Sequence, residues 1–276
     1  MSRTMLELVV GLHWGAVIIY VIASTLLITG VFFQKENLEK IGYRLALPGL
    51  LVHGAALVVW WRMVGHGPYM DRFEVLSSDA WILLAGFMLV VRFFPRLKSI
   101  GILVFPATFF MVALALFLQP EIKMLPPTFR SIWLILHILF YKIAFASIIA
   151  AFAFSLFFLL RSRGRLAEWK RLPDLPTMDL LAYRFAVFGF TFWAIGMLAG
   201  SIWSYQSWNQ FWSWDPVQTW SLVTWACFGV YLHLRRFYQW EGKRAAWFYG
   251  VCFILTLISL FITPYIKSSI HAEYFK

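Results

Sequence analysis

The sequence predicts an all-α integral membrane protein with about eight transmembrane helices, because of its composition and its long apolar runs. Of the 276 residues, 61% are hydrophobic and only 13% are charged, whereas soluble domains are about half apolar and about a quarter charged. No run shows the alternation that is typical of a transmembrane β-barrel. Helices, which satisfy their own backbone hydrogen bonds, are the remaining way to cross a bilayer.

Each helix is predicted from an apolar run of the length that a bilayer needs, which is about 20 residues. The third and fourth runs are the shortest, and Phe94, Pro95 and Arg96 separate them. The first run is too long for a signal peptide and lacks a small-residue cleavage site, so we expect no cleaved signal. We expect one polytopic domain over residues 1–276. The predicted spans are 6–33, 41–64, 78–94, 100–118, 130–160, 180–203, 217–238 and 246–266.

The net charge of +11 indicates the orientation of these helices and not an anionic partner. Of the 24 lysines and arginines, 15 lie in the loops after the first, third, fifth and seventh runs, and seven lie in the other loops and the termini. The positive-inside rule places the first set of loops in the cytoplasm. We therefore expect both termini outside, and we expect no nucleic-acid partner.

Two cysteines, Cys227 and Cys252, lie in apolar runs and form no C-x-x-C pair. A thiol-disulfide enzyme or a structural zinc site is therefore not expected. We expect each cysteine to be a small residue of the core.

Tryptophan is concentrated in one part of the chain, where seven of the 15 lie between residues 193 and 225. The stretch 203–220 contains no Lys, Arg or Glu and falls in the predicted outer loop between the sixth and seventh helices. An interfacial aromatic belt is one interpretation, but a belt distributes its rings over many helix ends. A platform for a large planar ligand is the interpretation that we favour. The seven residues are Trp193, Trp203, Trp208, Trp212, Trp214, Trp220 and Trp225.

The start of the seventh helix is well marked. Asp215 is a good N-cap, Pro216 fits the first helical position, and Gln218 is placed to reach back in a capping box. His233 follows Pro216 by 17 residues, which is about 26 Å of helix and nearly the thickness of the hydrocarbon core. His233 is therefore predicted at the inner end of the helix that begins at the outer platform.

Two further histidines are predicted on the outer side. His137 lies near the start of the fifth helix and His271 lies beyond the eighth, so both can approach the platform, and two imidazoles on opposite faces of a porphyrin would ligate its iron. For His13 and His53 we expect packing or interhelical hydrogen bonds. Lys142 either extends towards the membrane surface or pairs with an anion such as a propionate.

The motif WSWDPVQTW at 212–220, followed by Thr224, Trp225 and YLHLR at 231–235, resembles the tryptophan-rich WWD signature of haem-handling membrane proteins. Within that superfamily the chain is similar to the CcsA (ResC) family of system II cytochrome c biogenesis. Gly65, His66 and Pro68 with the downstream Glu74, His137 after a Pro-Pro loop, and the histidine near the C-terminus agree with this resemblance. The likeness extends from about residue 60 to the end, with a WWD core at about 126–276.

The resemblance implies a haem transporter that serves as the haem-handling subunit of a cytochrome c synthase (haem lyase) complex in the inner (plasma) membrane. The WWD loop with His137 and His271 would hold haem b on the periplasmic face, and His233 would belong to a site reached from inside. The implied partners are a CcsB (ResB) membrane protein, an apocytochrome with a C-x-x-C-H motif and a thioredoxin-like thiol reductant. The thiols are the substrate's, so no catalytic nucleophile is assigned. The implied haem-contacting residues of the loop are Trp208, Trp212, Trp214, Asp215 and Trp220.

The chain departs from the family pattern in two places and leaves two alternatives open. Val217 and Gln218 replace the usual Lys-Glu, and Ala-Glu-Tyr follows His271 where Ser-Tyr-Gly is more usual. One alternative is a HemX-like regulator of haem synthesis. The other is a membrane cytochrome b subunit, in which His13 and His53 would be the only candidate ligands within the bilayer.

Overall fold

A computed structural model describes residues 3–118, 120–122, 125–165 and 172–266. Among these residues the chain forms eight α-helices and three short 3-10 helices, and no β-strand occurs in them. The α-helices are α1 (Arg3–Phe32), α2 (Glu36–Val64), α3 (Arg72–Phe93), α4 (Gly101–Phe117), α5 (Ile132–Ser162), α6 (Leu175–Trp208), α7 (Pro216–Phe237) and α8 (Gly242–Phe261). The 3-10 helices are Pro95–Ile100, Pro127–Phe129 and Thr263–Tyr265.

The eight predicted apolar runs correspond one to one to the eight helices. Six of these helices, α1, α2, α3, α5, α6 and α8, are long and apolar enough to cross a membrane. Helix α4 is apolar but has only 17 residues. The all-helical prediction is confirmed, while the spanning of the bilayer by α4 and α7 stays a prediction.

The chain divides into two compact units, Met1–Leu125 and Pro126–Lys276. In the first unit α1 packs along α2, and α4 packs against α1 and α3. Its largest fully buried side chains include Tyr20, Trp60 and Phe73. The single polytopic domain and its WWD core at about 126–276 stay predictions.

The second unit is built on the pair α5 and α6, with α8 packed against α5 and α7. Its core combines small residues such as Ala144 and Ala151 with the large buried rings of Trp193, Phe228 and Tyr249. Small residues let helices approach closely, which is how helices associate where the solvent is as apolar as the side chains.

Helices α7 and α8 form an antiparallel hairpin whose connection is residues 238–241. Thr224 Oγ1 donates to the carbonyl of Leu255 at 3.3 Å, and Cys227 Sγ lies 3.3 Å from Cys252 Sγ. Both contacts join residues that are equally far from the connection, so α8 returns to the end of the unit where α7 begins. The 3-10 helix Thr263–Tyr265 packs against α7.

Candidate functional site

The tryptophan-rich segment lies at one end of the second unit, where α5 begins, α6 ends and α7 begins. Helix α6 continues to Trp208, so the connection to α7 is residues 209–215 and is shorter than predicted. Trp208 is therefore helical, which corrects its predicted place in the loop. Trp203 and Trp220 are also helical, in agreement with the predicted spans 180–203 and 217–238. The segment as a whole forms a surface across two helix ends.

Helix α6 extends beyond its predicted end because of hydrogen bonds that the apolar pattern does not reveal. Asn209 adopts the left-handed conformation with φ 56° and caps the helix by donating its N–H to the Tyr205 carbonyl. Ser204 Oγ donates to the Gln210 carbonyl at 2.6 Å. Left-handed caps are tolerated best by glycine and, next, by asparagine, so α6 ends at Trp208 with Asn209 as its cap.

Trp203 fixes the end of α6 to the chain that precedes α5. Its Nε1 donates to the Thr128 carbonyl at 2.8 Å, and the side chain is buried. Its ring makes edge contacts with Phe129, at 5.7 Å between centroids, and with Trp208, at 4.9 Å. The start of α5 and the end of α6 are thereby held as one aromatic surface.

The connection itself presents two more rings. Trp212 and Trp214 meet edge to face at 5.9 Å, and Trp214 is 68% exposed with a left-handed φ of 56°. A non-glycine residue in that conformation costs on the order of 1–3 kcal/mol and persists where its surroundings enforce it. The Trp212 indole nitrogen is buried and has no hydrogen-bond partner among the described residues. An unpaired buried N–H is costly, and it is a ready donor to an anionic or carbonyl group of a ligand.

Asp215 begins α7 as its N-cap, with Pro216 at the first helical position, as predicted. The Asp215 side chain accepts the N–H of Val217 at 2.9 Å. The predicted capping box is wrong, because Gln218 Oε1 accepts both the backbone N–H of Ser213, at 2.9 Å, and its hydroxyl, at 3.1 Å. Gln218 therefore holds the connection against α7.

Replacing Asp215 with alanine is expected to lower the free energy of unfolding by about 1 kcal/mol, because α7 loses its cap. Asp215→Asn keeps an oxygen at the same place and should retain most of the stability. Thermal unfolding of the haem-free chain in detergent measures both variants. An equal loss in the two would show that the charge of Asp215, and not its capping bond, stabilises this end of α7.

His137 points from the second turn of α5 at the neighbouring helix α6. Its Nδ1 lies 2.8 Å from the Gly196 carbonyl, to which it donates. The neutral ring consequently carries its lone pair on Nε2, the nitrogen that binds a metal when the other one is held by a carbonyl. The ring is stacked near Trp203, at 6.3 Å with an interplanar angle of 27°. This histidine is thus oriented beside the aromatic surface.

Two glycines of α6 make room for the α5 rings. A Cβ on Gly200 would collide with His137 Nδ1 and would lie 2.7 Å from its Cε1. A Cβ on Gly196 would lie 2.6 Å from Tyr141 Cδ2. Both distances are shorter than side-chain atoms tolerate, so α6 has no side chain at these positions because the rings of His137 and Tyr141 occupy that space.

A polar contact that the sequence analysis missed ties the three helices together below His137. The Tyr141 hydroxyl is hydrogen-bonded to Ser221 Oγ at 2.5 Å, and Trp193 Nε1 donates to the same oxygen at 3.0 Å. Tyr141 follows His137 by one helical turn, so its place on the same face of α5 could have been read from the spacing. Its contacts with Ser221 on α7 and, through Ser221, with Trp193 on α6 could not be predicted from the sequence.

His233 lies at the opposite end of the second unit, near the end of α7, and it is exposed. Its ring contacts Phe237 at 4.7 Å and Tyr238 at 5.8 Å. Close by in the chain, Arg235 forms an ion pair with Asp179 at 2.7 Å, which links the end of α7 to the start of α6. The structure therefore separates His137 and His233 by the length of α7.

His271 lies outside the described residues. Ile266, the last described residue, follows the 3-10 helix that packs against α7. Because α8 is antiparallel to α7, this part of the chain is at the end of the unit where α7 begins. The position of His271 relative to His137 stays a prediction.

His13 and His53 form interhelical hydrogen bonds in the first unit, as predicted. His13 Nε2 lies 2.8 Å and His53 Nε2 lies 2.9 Å from the hydroxyl oxygen of Ser77, and His13 Nδ1 donates to the Val9 carbonyl. The two ring centroids are 5.4 Å apart in edge contact. A porphyrin has no room between rings that share one hydroxyl, so this pair does not favour the cytochrome b alternative.

Ser77→Ala is expected to destabilise the chain by about 1–3 kcal/mol, because both buried imidazoles lose a partner. Ser24→Ala is the matched control, since the Ser24 hydroxyl is buried and has no partner among the described residues. Thermal unfolding in detergent compares them. If the two variants lose the same stability, the shared hydroxyl of Ser77 is not a stabilising contact.

The turn between α2 and α3 contains His66, and the first turn of α3 contains Glu74. Glu74 is buried and accepts from Trp60 Nε1 at 2.7 Å and from the Met70 N–H at 2.6 Å. His66 is buried beside it, with Nδ1 3.9 Å from Glu74 Oε2. Burial, and then the charge of Glu74, raise the pKa of Tyr69 in the same turn. These contacts give His66 and Glu74 a structural role in the first unit.

The chain is similar to known cytochrome c assembly proteins over nearly its whole length. The family model described as Cytochrome C assembly protein matches residues 13–271. The cytochrome c biogenesis protein CcsA of Chlamydomonas reinhardtii is 32% identical over 235 residues, which cover 82% of this chain and 67% of that protein. The CcsA protein of Parasynechococcus marenigrum (strain WH8102) is 28% identical over 270 residues, covering 87% of this chain and 88% of that one.

A solved structure is similar in fold. The chain aligns with the cytochrome c haem lyase CcmF at a TM-score of 0.70 and 17% identity, covering 99% of this chain and 48% of the other. The chain thus spans about half the length of that protein. At this identity the likeness concerns the fold alone.

Proposed function

Since the chain belongs to the cytochrome c assembly protein family, we propose that it carries haem to the outer face of the membrane for covalent attachment to an apocytochrome. The chain is a multi-pass membrane protein of CcsA type with a role in cytochrome c maturation. The proposed substrate is haem b, and the proposed location is the inner (plasma) membrane with the tryptophan surface on the periplasmic side. In a haem lyase complex, this chain would be the subunit that holds haem.

The observation that carries the proposal is the orientation of His137. Its Nδ1 donates to the Gly196 carbonyl at 2.8 Å, and its ring is stacked near Trp203. Histidines that bind a metal through one nitrogen usually donate the other to a carbonyl or carboxylate, which fixes the ring. A planar ligand that lies against the adjacent tryptophans would therefore meet Nε2 at its iron.

The residues present fit a porphyrin in three further respects. The rings of Trp208, Trp212 and Trp214 offer flat apolar area at low conformational cost. The buried Trp212 N–H is a donor for a carboxylate at the edge of the macrocycle. His271 would supply a second iron ligand, since the described chain ends at Ile266 at the same end of the unit.

His233 would serve a second haem position at the other end of α7. It lies 17 residues after Pro216, which is about 26 Å along the helix axis. Its exposed ring would bind haem together with a ligand from a CcsB-type partner. The same α7 helix would then connect an inner position, where haem is received, to an outer position, where it is presented.

In the attachment step this chain would orient haem and exclude water. Each substrate thiol of the C-x-x-C-H motif adds its S–H across a vinyl double bond, and a thioredoxin-like partner keeps the thiols reduced. Fixed ligation by His137 and His271 would hold the vinyl edge towards the peptide, and orientation alone contributes substantially to such a reaction. The motif's own histidine would replace one of the two protein ligands and so allow release.

Deletion of the gene tests the proposal against the HemX-like alternative. Loss of all c-type cytochromes with normal haem synthesis, restored by the wild-type chain, is the expected result. Reduced haem synthesis with c-type cytochromes still formed from supplied haem would contradict it.

A reporter fused after Lys276 should be active on the outer side, and activity confined to the cytoplasm would overturn the orientation.

A further inference from the structure

Two cysteines from neighbouring helices meet in the middle of the second unit. Cys227 Sγ on α7 lies 3.3 Å from Cys252 Sγ on α8. Both are free thiols, and Cys252 is fully buried while Cys227 is partly exposed. A disulfide needs about 2.05 Å between the sulfurs, so the two sulfurs must approach each other by about 1.2 Å to form the bond.

The surrounding helices hold the two thiols at the same depth. Thr224, about one turn before Cys227, donates to the Leu255 carbonyl at 3.3 Å, which fixes the register of the hairpin. Cys252 packs in the core with Phe228, Tyr231 and Tyr249. The close approach of the two sulfurs therefore results from the way α7 and α8 pack against each other.

The position of the pair determines which oxidant can reach it. Cys227 is 11 residues after Pro216, or about 16 Å along α7, and the helix continues beyond it to Phe237. In the proposed orientation this is the middle of the hydrocarbon layer, where charged water-soluble oxidants do not enter. Cys227 is partly exposed, so a lipid-soluble oxidant can approach it.

We propose that Cys227 and Cys252 form a reversible disulfide between α7 and α8, with a membrane quinone as the oxidant. The two S–H bonds break and one S–S bond forms. Two electrons and two protons pass to the quinone, which becomes the hydroquinone. The site takes a redox-active lipid-soluble quinone as its reactant, and a dithiol or phosphine restores the thiols.

The cross-link has a consequence for the candidate haem site. Helix α7 begins at the tryptophan surface and carries His233 near its end, and α8 precedes the part of the sequence that contains His271. A disulfide between these helices prevents them from separating. The oxidised chain therefore releases haem more slowly from the outer position, and this consequence rests on the proposed function.

Thiol counting on the full chain in lipid nanodiscs tests the disulfide. The chain is treated with decylubiquinone, denatured and labelled with a maleimide, and adducts are counted by mass spectrometry. We expect two adducts before treatment, none after it, and two again after tributylphosphine. The single variants Cys227→Ser and Cys252→Ser should each keep their remaining thiol, and dithionitrobenzoate, which is charged, should leave both thiols of the wild type intact.

Two results would overturn the disulfide. One is that both wild-type thiols are still labelled after the quinone treatment. The other is that the single variants lose their thiol as fast as the wild type, since oxidation would then not depend on the pair.

Haem release tests the consequence separately. Release from the oxidised wild type to an excess of apomyoglobin should be at least about tenfold slower than from the reduced wild type. The Cys227→Ser/Cys252→Ser variant should release haem at the reduced rate under both conditions. Equal rates in the two wild-type forms would contradict the consequence. A chain that takes up no haem in any form would count against the proposed function, while the thiol count still decides the disulfide.

Discussion

Replacement of His137 with alanine is expected to weaken haem binding at the outer position on the order of 100-fold, or about 2.7 kcal/mol. The variant loses the nitrogen that the proposal assigns to iron, together with a ring that the Gly196 carbonyl holds in place. Haem titration of the purified full chain, followed by its absorbance, measures the change. The free energy of unfolding of the haem-free chain should fall much less.

Added imidazole separates a lost ligand from a lost fold. A small imidazole fits the space left by His137→Ala and should restore both the haem affinity and the spectrum of the wild type. If the variant binds haem as tightly as the wild type, His137 is not a ligand. If the affinity falls in a folded variant and imidazole restores nothing, His137 acts only through packing.

Gly200→Ala is expected to weaken haem binding by roughly 10- to 100-fold although it leaves every proposed ligand in the chain. Its Cβ would collide with the ring of His137, so the ring must turn away and its bond to the Gly196 carbonyl is lost. Loss of such an orienting bond typically costs a metal ligand 10- to 100-fold in affinity. Haem titration under the same conditions measures the haem affinity of Gly200→Ala.

Gly250→Ala is the matched control on α8. A Cβ at that glycine meets nothing within 4 Å, and alanine is the better helix former by about 1 kcal/mol. We expect wild-type haem affinity and equal or higher thermal stability. Equal haem affinity for both glycine variants and the wild type would show that the orientation of His137 does not matter for binding.

The helices of this protein could be predicted from its sequence because hydropathy reports them directly. All eight apolar runs are helices, and the cap at Asp215 with Pro216 was recognised from residue type alone. The end of α6 was misplaced by five residues, since it depends on the left-handed Asn209 and on the bond from Ser204. Such contacts are not visible in an apolar pattern.

The candidate site was predicted only in part, for a similar reason. Residue type and depth along the helices singled out His137 and the tryptophans. The glycine cradle at Gly196 and Gly200, and the bonds to Ser221, depend on how α5, α6 and α7 pack, which hydropathy does not encode.

The cysteine contact is a different case. The two cysteines form no C-x-x-C pair, so the sequence motif does not indicate their contact. In the structure Cys227 and Cys252 are equally far from the connection between α7 and α8 and lie at the same depth. The predicted spans 217–238 and 246–266 place the start of α8 four residues too late, so the two cysteines do not match in depth when only the predicted boundaries are used.

Ligation of haem iron by His137 and His271 at the tryptophan surface can be measured by electron paramagnetic resonance of the full chain loaded with ferric haem. We expect a low-spin signal of two imidazole ligands that is lost in His137→Ala and in His271→Ala. The signal should remain in His233→Ala when the outer position alone is filled. Survival of that low-spin signal in the His137→Ala/His271→Ala double variant, at full outer occupancy, would contradict ligation by these two histidines.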